Sequence, residues 1–165
     1  MFAHKFILGI CAIFLLNGCG FHPLYKESSR EVKYHLNHIK IQTIPNREGQ
    51  LLHNQLSTLL TPYGPARHPL YTLSTDLTFA ARGVAIQKDA TASQEAIDLT
   101  YSITLSDLRT GKTLFSTNET ISVDYVLSFT VPYSNFIEEK SAKRRLVEEA
   151  AQNIRLHLAS FFAKK

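Results

Sequence analysis

Between Gly20 and Lys165 the chain contains no cysteine. This excludes a disulfide, a cysteine-ligated zinc site and a cysteine nucleophile from the folded part, without making the protein cytosolic. There is also no G-x-S-x-G, no H-E-x-x-H and no phosphate-binding glycine loop, the usual signs of a hydrolase, a zinc protease or a nucleotide enzyme. No apolar run approaches the roughly 20 residues needed to span a bilayer as a helix. Strong charge of one sign is missing too, because a net charge of +4 on 165 residues is a mild bias and not a nucleic-acid signature. Charged residues at 19% and hydrophobic ones at 44% leave a compact globular class, and the length is that of one domain with a sizeable core.

Both cysteines, Cys11 and Cys19, belong to the N-terminal apolar run or its end. Lys5 supplies a positive start, Phe6 to Leu16 is apolar, and Asn17-Gly18 sets a small residue before Cys19, which are the three parts of a secretory signal peptide. Leu16-Asn17-Gly18-Cys19 resembles the bacterial lipobox, so cleavage is expected between Gly18 and Cys19. A thiolate is a good nucleophile toward a lipid donor, and a single acyl chain binds only marginally whereas two or more anchor stably. The resemblance implies a covalent diacylglycerol and an N-acyl chain on Cys19 and no other cofactor. Gly20, where an aspartate would mark inner-membrane retention in Gram-negative lipoproteins, points to the periplasmic side of the outer membrane.

The expected organisation is a removed leader over 1–18, a lipidated tether over 19–38 and a single domain over 39–165. Residues 26–38 are polar without a sustained period. Ile39, Ile41 and Thr43 alternate with Lys40 and Gln42 as a short strand stopped by Pro45. Asn46 is placed to cap a helix over about 47–60 with a stripe of Leu52, Leu56, Leu59 and Leu60. From Tyr71 the period becomes two, through Leu73, Leu77, Phe79 and Ala81, and the parity slips at Val84 and Ile86, which predicts a bulge near Gly83. Ile97, Leu99, Tyr101, Ile103 and Leu105 form the next strand, and Arg109 to Lys112 a turn. A third run from Phe115 through Ile121, Val123, Tyr125, Leu127, Phe129 and Val131 is read as the longest strand. After Pro132 a helix carries Leu146, Val147, Ala150, Ala151, Ile154, Leu158 and Phe161. The pattern predicts an α+β, two-layer sandwich in the order β-α-β-β-β-α, a four-stranded mixed sheet with two helices packed on one face.

Candidate chemistry is sparse. His35 and His38 have the spacing of a metal pair but no third ligand nearby, so they read as solvated tether residues. Glu138, Glu139, Glu148 and Glu149 lie among Lys140, Lys143, Arg144 and Arg145, which reads as a salt-bridged helix face and not as an acid–base pair. Arg82 and Lys88, with the small polar residues after Asp89, sit at a hairpin tip. That is a turn composition, and also a donor set suited to phosphate and sugar groups.

Cys19-Gly20-Phe21-His22-Pro23-Leu24-Tyr25, Lys88-Asp89 with the strand containing Tyr101, and Glu149-Ala150-Ala151-Gln152 together resemble the LptE family of lipopolysaccharide-assembly lipoproteins, alphaproteobacterial type. His22 stands where Arg is frequent in those relatives, and the long polar C-terminal extension of some of them has no counterpart. The resemblance implies a non-enzymatic protein that sits in the LptD outer-membrane β-barrel, supports its assembly and helps deliver lipopolysaccharide to the outer leaflet. Its partners would be LptD, lipopolysaccharide and the membrane through the anchor, with no nucleic acid. Arg82, Lys88, Lys140, Lys143 and Arg144 are the candidate lipopolysaccharide-binding residues. Two other readings stand beside it: an auxiliary lipoprotein of another envelope lipid transporter, and an envelope hydrolase, which would need Glu, His or Ser residues converging in a pocket.

Overall fold

Alternating apolar and hydroxyl residues build three long strands, and leucines at four-residue spacing build the helix that connects a short fourth one to them. The computed structural model describes residues 28–86, 92–128 and 132–164. Glu31–Lys165 is one compact unit. In order the elements are α1 (Ser28–Asn37), β1 (Ile39–Ile41), α2 (Asn46–Leu60), β2 (Tyr71–Ile86), β3 (Ala92–Asp107), β4 (Thr113–Ser128) and α3 (Pro132–Ala163).

The sheet order is β1-β2-β3-β4. β1 runs parallel to β2, pairing Ile39 with Tyr71, which the helical crossover through α2 permits. The other neighbours are antiparallel. Ile97, Leu99, Tyr101, Ile103 and Leu105 of β3 are buried on one face, together with Tyr71 and Leu73 of β2, under Leu146, Val147, Ala150, Ile154 and Leu158 of α3. α2 adds Leu52, Leu56 and Leu60 to the same core. The α+β two-layer arrangement is therefore present, as is the bulge, which the register shift between Gly83 and Ala85 records.

Two glycines are fixed by geometry. A Cβ on Gly49 would sit 2.7 Å from Ile44 Cγ2 and 2.9 Å from the Ile44 carbonyl carbon, so only glycine lets α2 start this close to the end of β1. Gly111, at φ +70, closes the β3–β4 turn, in which Asp107 Oδ1 accepts from the amides of Arg109 at 3.0 Å and Thr110 at 2.7 Å. Those bonds, with the one from the Thr110 hydroxyl, hold the Asp107 carboxyl below the usual range.

Several expectations change. Ser28–Asn37, read as tether, is helical, and the compact unit begins at Glu31. Its apolar side chains in or against the core are Leu36 and Val32, four residues apart and too few to show a period. His35 is not a solvated tether residue: its ring stacks on Phe162 at 4.9 Å and Nδ1 is hydrogen-bonded to the Tyr71 hydroxyl at 2.9 Å. Asn46 does not cap α2. Pro45 holds the N-cap position with no side-chain hydrogen bond, and Asn46 takes φ +67, a left-handed conformation asparagine adopts more readily than most residues. The last strand is not the longest, since β2, β3 and β4 each have 16 residues. Phe129 and Val131 lie outside the described residues, and Pro132 opens α3, as its missing N–H allows. Phe162 is the buried aromatic near the end of α3, with Phe161 only partly covered.

Candidate functional site

α2 and α3 lie side by side on the sheet, and their N-terminal halves leave a groove of about 440 Å³ between them. From α2 it is lined by Arg47, Glu48, Leu51 and Gln55, and from α3 by Ile137, Lys140, Ser141, Lys143, Arg144, Val147 and Glu148. Helical spacing puts them there: Arg47 and Leu51 are four apart, as are Lys140 and Arg144. The floor is apolar, and Leu51 and Ile137 keep 36% and 44% of their surface. Four cations and two carboxylates line the walls.

Not all four cations are equally available. Lys143 Nζ lies 2.6 Å from Glu139 Oε1 and 5.9 Å from the centre of the Phe79 ring. Arg144 Nε lies 2.9 Å from Glu148 Oε1. Both are i,i+4 pairs, which confirms the salt-bridged face read from the sequence. Arg47 and Lys140 have no carboxylate within ion-pair distance among the described residues. A groove with two uncommitted cations above exposed aliphatic side chains suits an anionic amphiphile, whose head group meets the charge while its chain covers the apolar floor.

The structure thus collects Lys140, Lys143 and Arg144 and adds Arg47, which the sequence did not reveal because it comes from another helix. Arg82 is elsewhere. Its side chain is on the opposite face of the sheet, where Nε donates to Asp98 Oδ2 at 3.0 Å. The Ser122 hydroxyl also donates to Asp98, and the two bonds, Ser122 first, hold that carboxyl below the usual range. Lys88, Gly18 and Cys19 lie outside the described residues. A second hollow of about 350 Å³, lined by Ile39, Ile41, His53 and Ser57 among others, contains a single cation, Lys40.

One polar constellation lies between α3 and the sheet. The Tyr101 hydroxyl and His157 Nε2 both donate to Glu119 Oε2, the latter at 3.1 Å. Burial, then the bond to Glu119, pushes the Tyr101 hydroxyl well up, and Tyr101 chiefly, with His157, holds Glu119 below the usual range. A depressed carboxyl beside a phenol with raised affinity for its proton is a poor base with a poor acid. None of the three lines either hollow. The set ties α3 to β4 and to Tyr101 of β3.

The outer sheet face is mostly polar, with rows of hydroxyl side chains. Thr78, Thr100 and Thr120 lie in register across β2, β3 and β4, with the Thr100 and Thr120 hydroxyls bonded at 2.9 Å. Ser74, Thr104 and Ser116 repeat the row, with Thr104 and Ser116 at 3.3 Å. Among the described residues no helix covers this face.

The unit is a two-layer α+β sandwich with a hydroxyl-lined open face and a basic groove on its helical side. The LptE family model, described as lipopolysaccharide-assembly, matches residues 36–158, and the chain belongs to that family. The fold is similar to that of a Caulobacter crescentus CB15 protein assigned as a lipoprotein, at TM-score 0.61 and 24% identity over 81% of this chain and 97% of that one. It is also similar to rare lipoprotein B from Shewanella oneidensis, at TM-score 0.57 and 11% identity over 74% and 92%. A minor lipoprotein from Acinetobacter baumannii gives TM-score 0.52 and 16% identity over 75% and 92%. No curated protein matches the sequence. Among the described residues no helix is long and apolar enough to cross a membrane.

Proposed function

We propose that this chain is a non-enzymatic outer-membrane lipoprotein, anchored by acyl chains on Cys19. It plugs and assists assembly of the LptD β-barrel translocon and helps deliver lipopolysaccharide to the outer leaflet. The observation that carries this reading, beside the family, is the uncovered sheet face. A protein held in a barrel lumen meets water and polar wall residues, and rows of serine and threonine hydroxyls can exchange hydrogen bonds with either. The groove of Arg47, Lys140, Lys143 and Arg144 supplies weak contacts to the phosphates of the glycolipid, with Arg82 on the outer sheet face as a separate basic point and Lys88, outside the described residues, as a further candidate.

Extraction of the lipidated chain from outer membranes in mild detergent tests the reading. It should travel with a large β-barrel, and recovery only as a free monomer would sink the proposal. For the contacts, Arg47→Glu with Lys140→Glu should weaken lipopolysaccharide binding by about tenfold, and Arg82→Glu with Lys88→Glu by less, both effects being larger at low salt. Unchanged binding in both pairs would return these residues to plain surface roles.

A further inference from the structure

The sheet has two long unpaired edges, and they are built differently. β1 pairs only with Tyr71, Leu73 and the residue between them, so β2 is open from Ser74 to Ile86. β4 is the last strand of the order and, among the described residues, is open along its whole length. Natural edges are blunted by bulges, prolines and charged side chains, because unpaired N–H and C=O groups are a template for another strand. The β2 edge has such guards, in the break at Gly83 and Ala85 and in Arg82 beside it. From Ser116 to Ser128 the β4 edge has no proline, glycine, lysine or arginine, and its charges are two carboxylates, Glu119 and Asp124. Its register with β3 is unbroken from Phe115 to Ser128.

The core beneath this edge is also unfinished. Phe115, Ile121, Val123 and Leu127, which point toward the helices, are only partly buried, whereas their β3 neighbours Ile97, Leu99 and Leu105 are fully covered. Val126, on the outer face, keeps 52% of its surface. The charges on β4 are both acidic, Glu119 and Asp124. Glu119 is held by Tyr101 and His157, and Asp124 has no cation within ion-pair distance among the described residues.

The geometry points to β4 as the docking edge for an extended segment of a partner polypeptide, one that alternates apolar residues with lysine or arginine. The unpaired backbone calls for an extended chain. The half-covered row calls for apolar side chains on its inner side, and Asp124 for a cation on its outer side. A second copy of this chain fits poorly, because β4 against β4 would bring only acids together. In a closed barrel every wall strand is already paired on both sides, so a partner of that class would supply the segment from a loop or a terminal arm.

Hydrogen exchange on the lipidated full chain in detergent tests this, with two synthetic peptides of about ten residues as probes, one alternating valine with lysine and one valine with glutamate. The lysine peptide should slow exchange of β4 amides by about tenfold or more while leaving Thr78 to Ile86 unchanged, and the glutamate peptide should do neither. Asp124→Lys, at an exposed position outside the groove, should reverse that preference. Absence of β4 protection by the lysine peptide, equal protection of both edges, or an unaltered preference in Asp124→Lys would overturn the proposal. So would β4 protection without peptide in a chain that sediments as a dimer, since the occupant would then be a second copy.

Discussion

Leu99 and Thr100 are neighbours on β3 and face opposite ways. Leu99 is fully buried in the core cluster, whereas Thr100 faces outward and its hydroxyl bonds across the strands to Thr120. The same division runs along Ile97 and Asp98, Tyr101 and Ser102, Ile103 and Thr104. One face is committed to holding the domain together. The other contributes hydroxyls whose loss the fold can absorb, so its regularity is better explained by what it meets than by what it stabilises.

Leu99→Ala should therefore cost about 2–5 kcal/mol, the range for a large-to-small change at a close-packed site, and Thr100→Ala less than about 1 kcal/mol. Urea unfolding of the two variants gives both numbers, and equal losses would break the contrast. Gly49→Ala comes next at about 1–3 kcal/mol, because the new methyl must push into the backbone of Ile44. A thermal scan showing no change would mean that the start of α2 relaxes freely.

A change on the committed face should go the other way. Thr75 is buried with its hydroxyl unpaired among the described residues, on the same side as Leu73. Thr75→Val keeps the shape and removes an unsatisfied donor, so the urea midpoint should rise, by about 1 kcal/mol in stability. A fall would show that the hydroxyl has a partner in solution.

The smallest effect concerns pH. Glu119 has its carboxyl below the ordinary value of 4.5, first through the Tyr101 hydroxyl and then His157. A depressed folded value contributes stability above the unfolded one and loses it as pH falls through the folded one. Wild type should weaken as pH falls below about 4.5, and Glu119→Gln should weaken less steeply. Parallel curves of urea midpoint against pH would remove Glu119 from this role.

Much of this contrast was legible in the sequence. Strict alternation in Ile97 to Ser106 gives both faces of β3 at once, and the parity slip after Gly83 locates the bulge. The inward positions of Thr117 and Glu119 were not legible, because polar residues on the apolar side of an alternating strand look like a gap in the pattern. Glu119 is tolerated there only because Tyr101 and His157 converge on it from two other elements. α1 was missed for want of more than two apolar contacts, and His35 because its partners, Tyr71 and Phe162, are distant in sequence. The groove was half legible: α3 shows its cations in one run, but Arg47 joins them only when α2 packs alongside.

If the hydroxyl face meets a partner in the outer membrane, as proposed, Thr104→Cys on that face reports it: in the lipoprotein cut before Cys19 that we propose, the thioether would block Cys19 and leave the new thiol as the reactive one. Labelling by a charged maleimide should be fast in the free, detergent-purified chain and slower by about tenfold or more in intact outer membranes, while a thiol at exposed Arg155 on α3 serves as a reference for general access. Equal labelling of Thr104→Cys in both states would contradict the account.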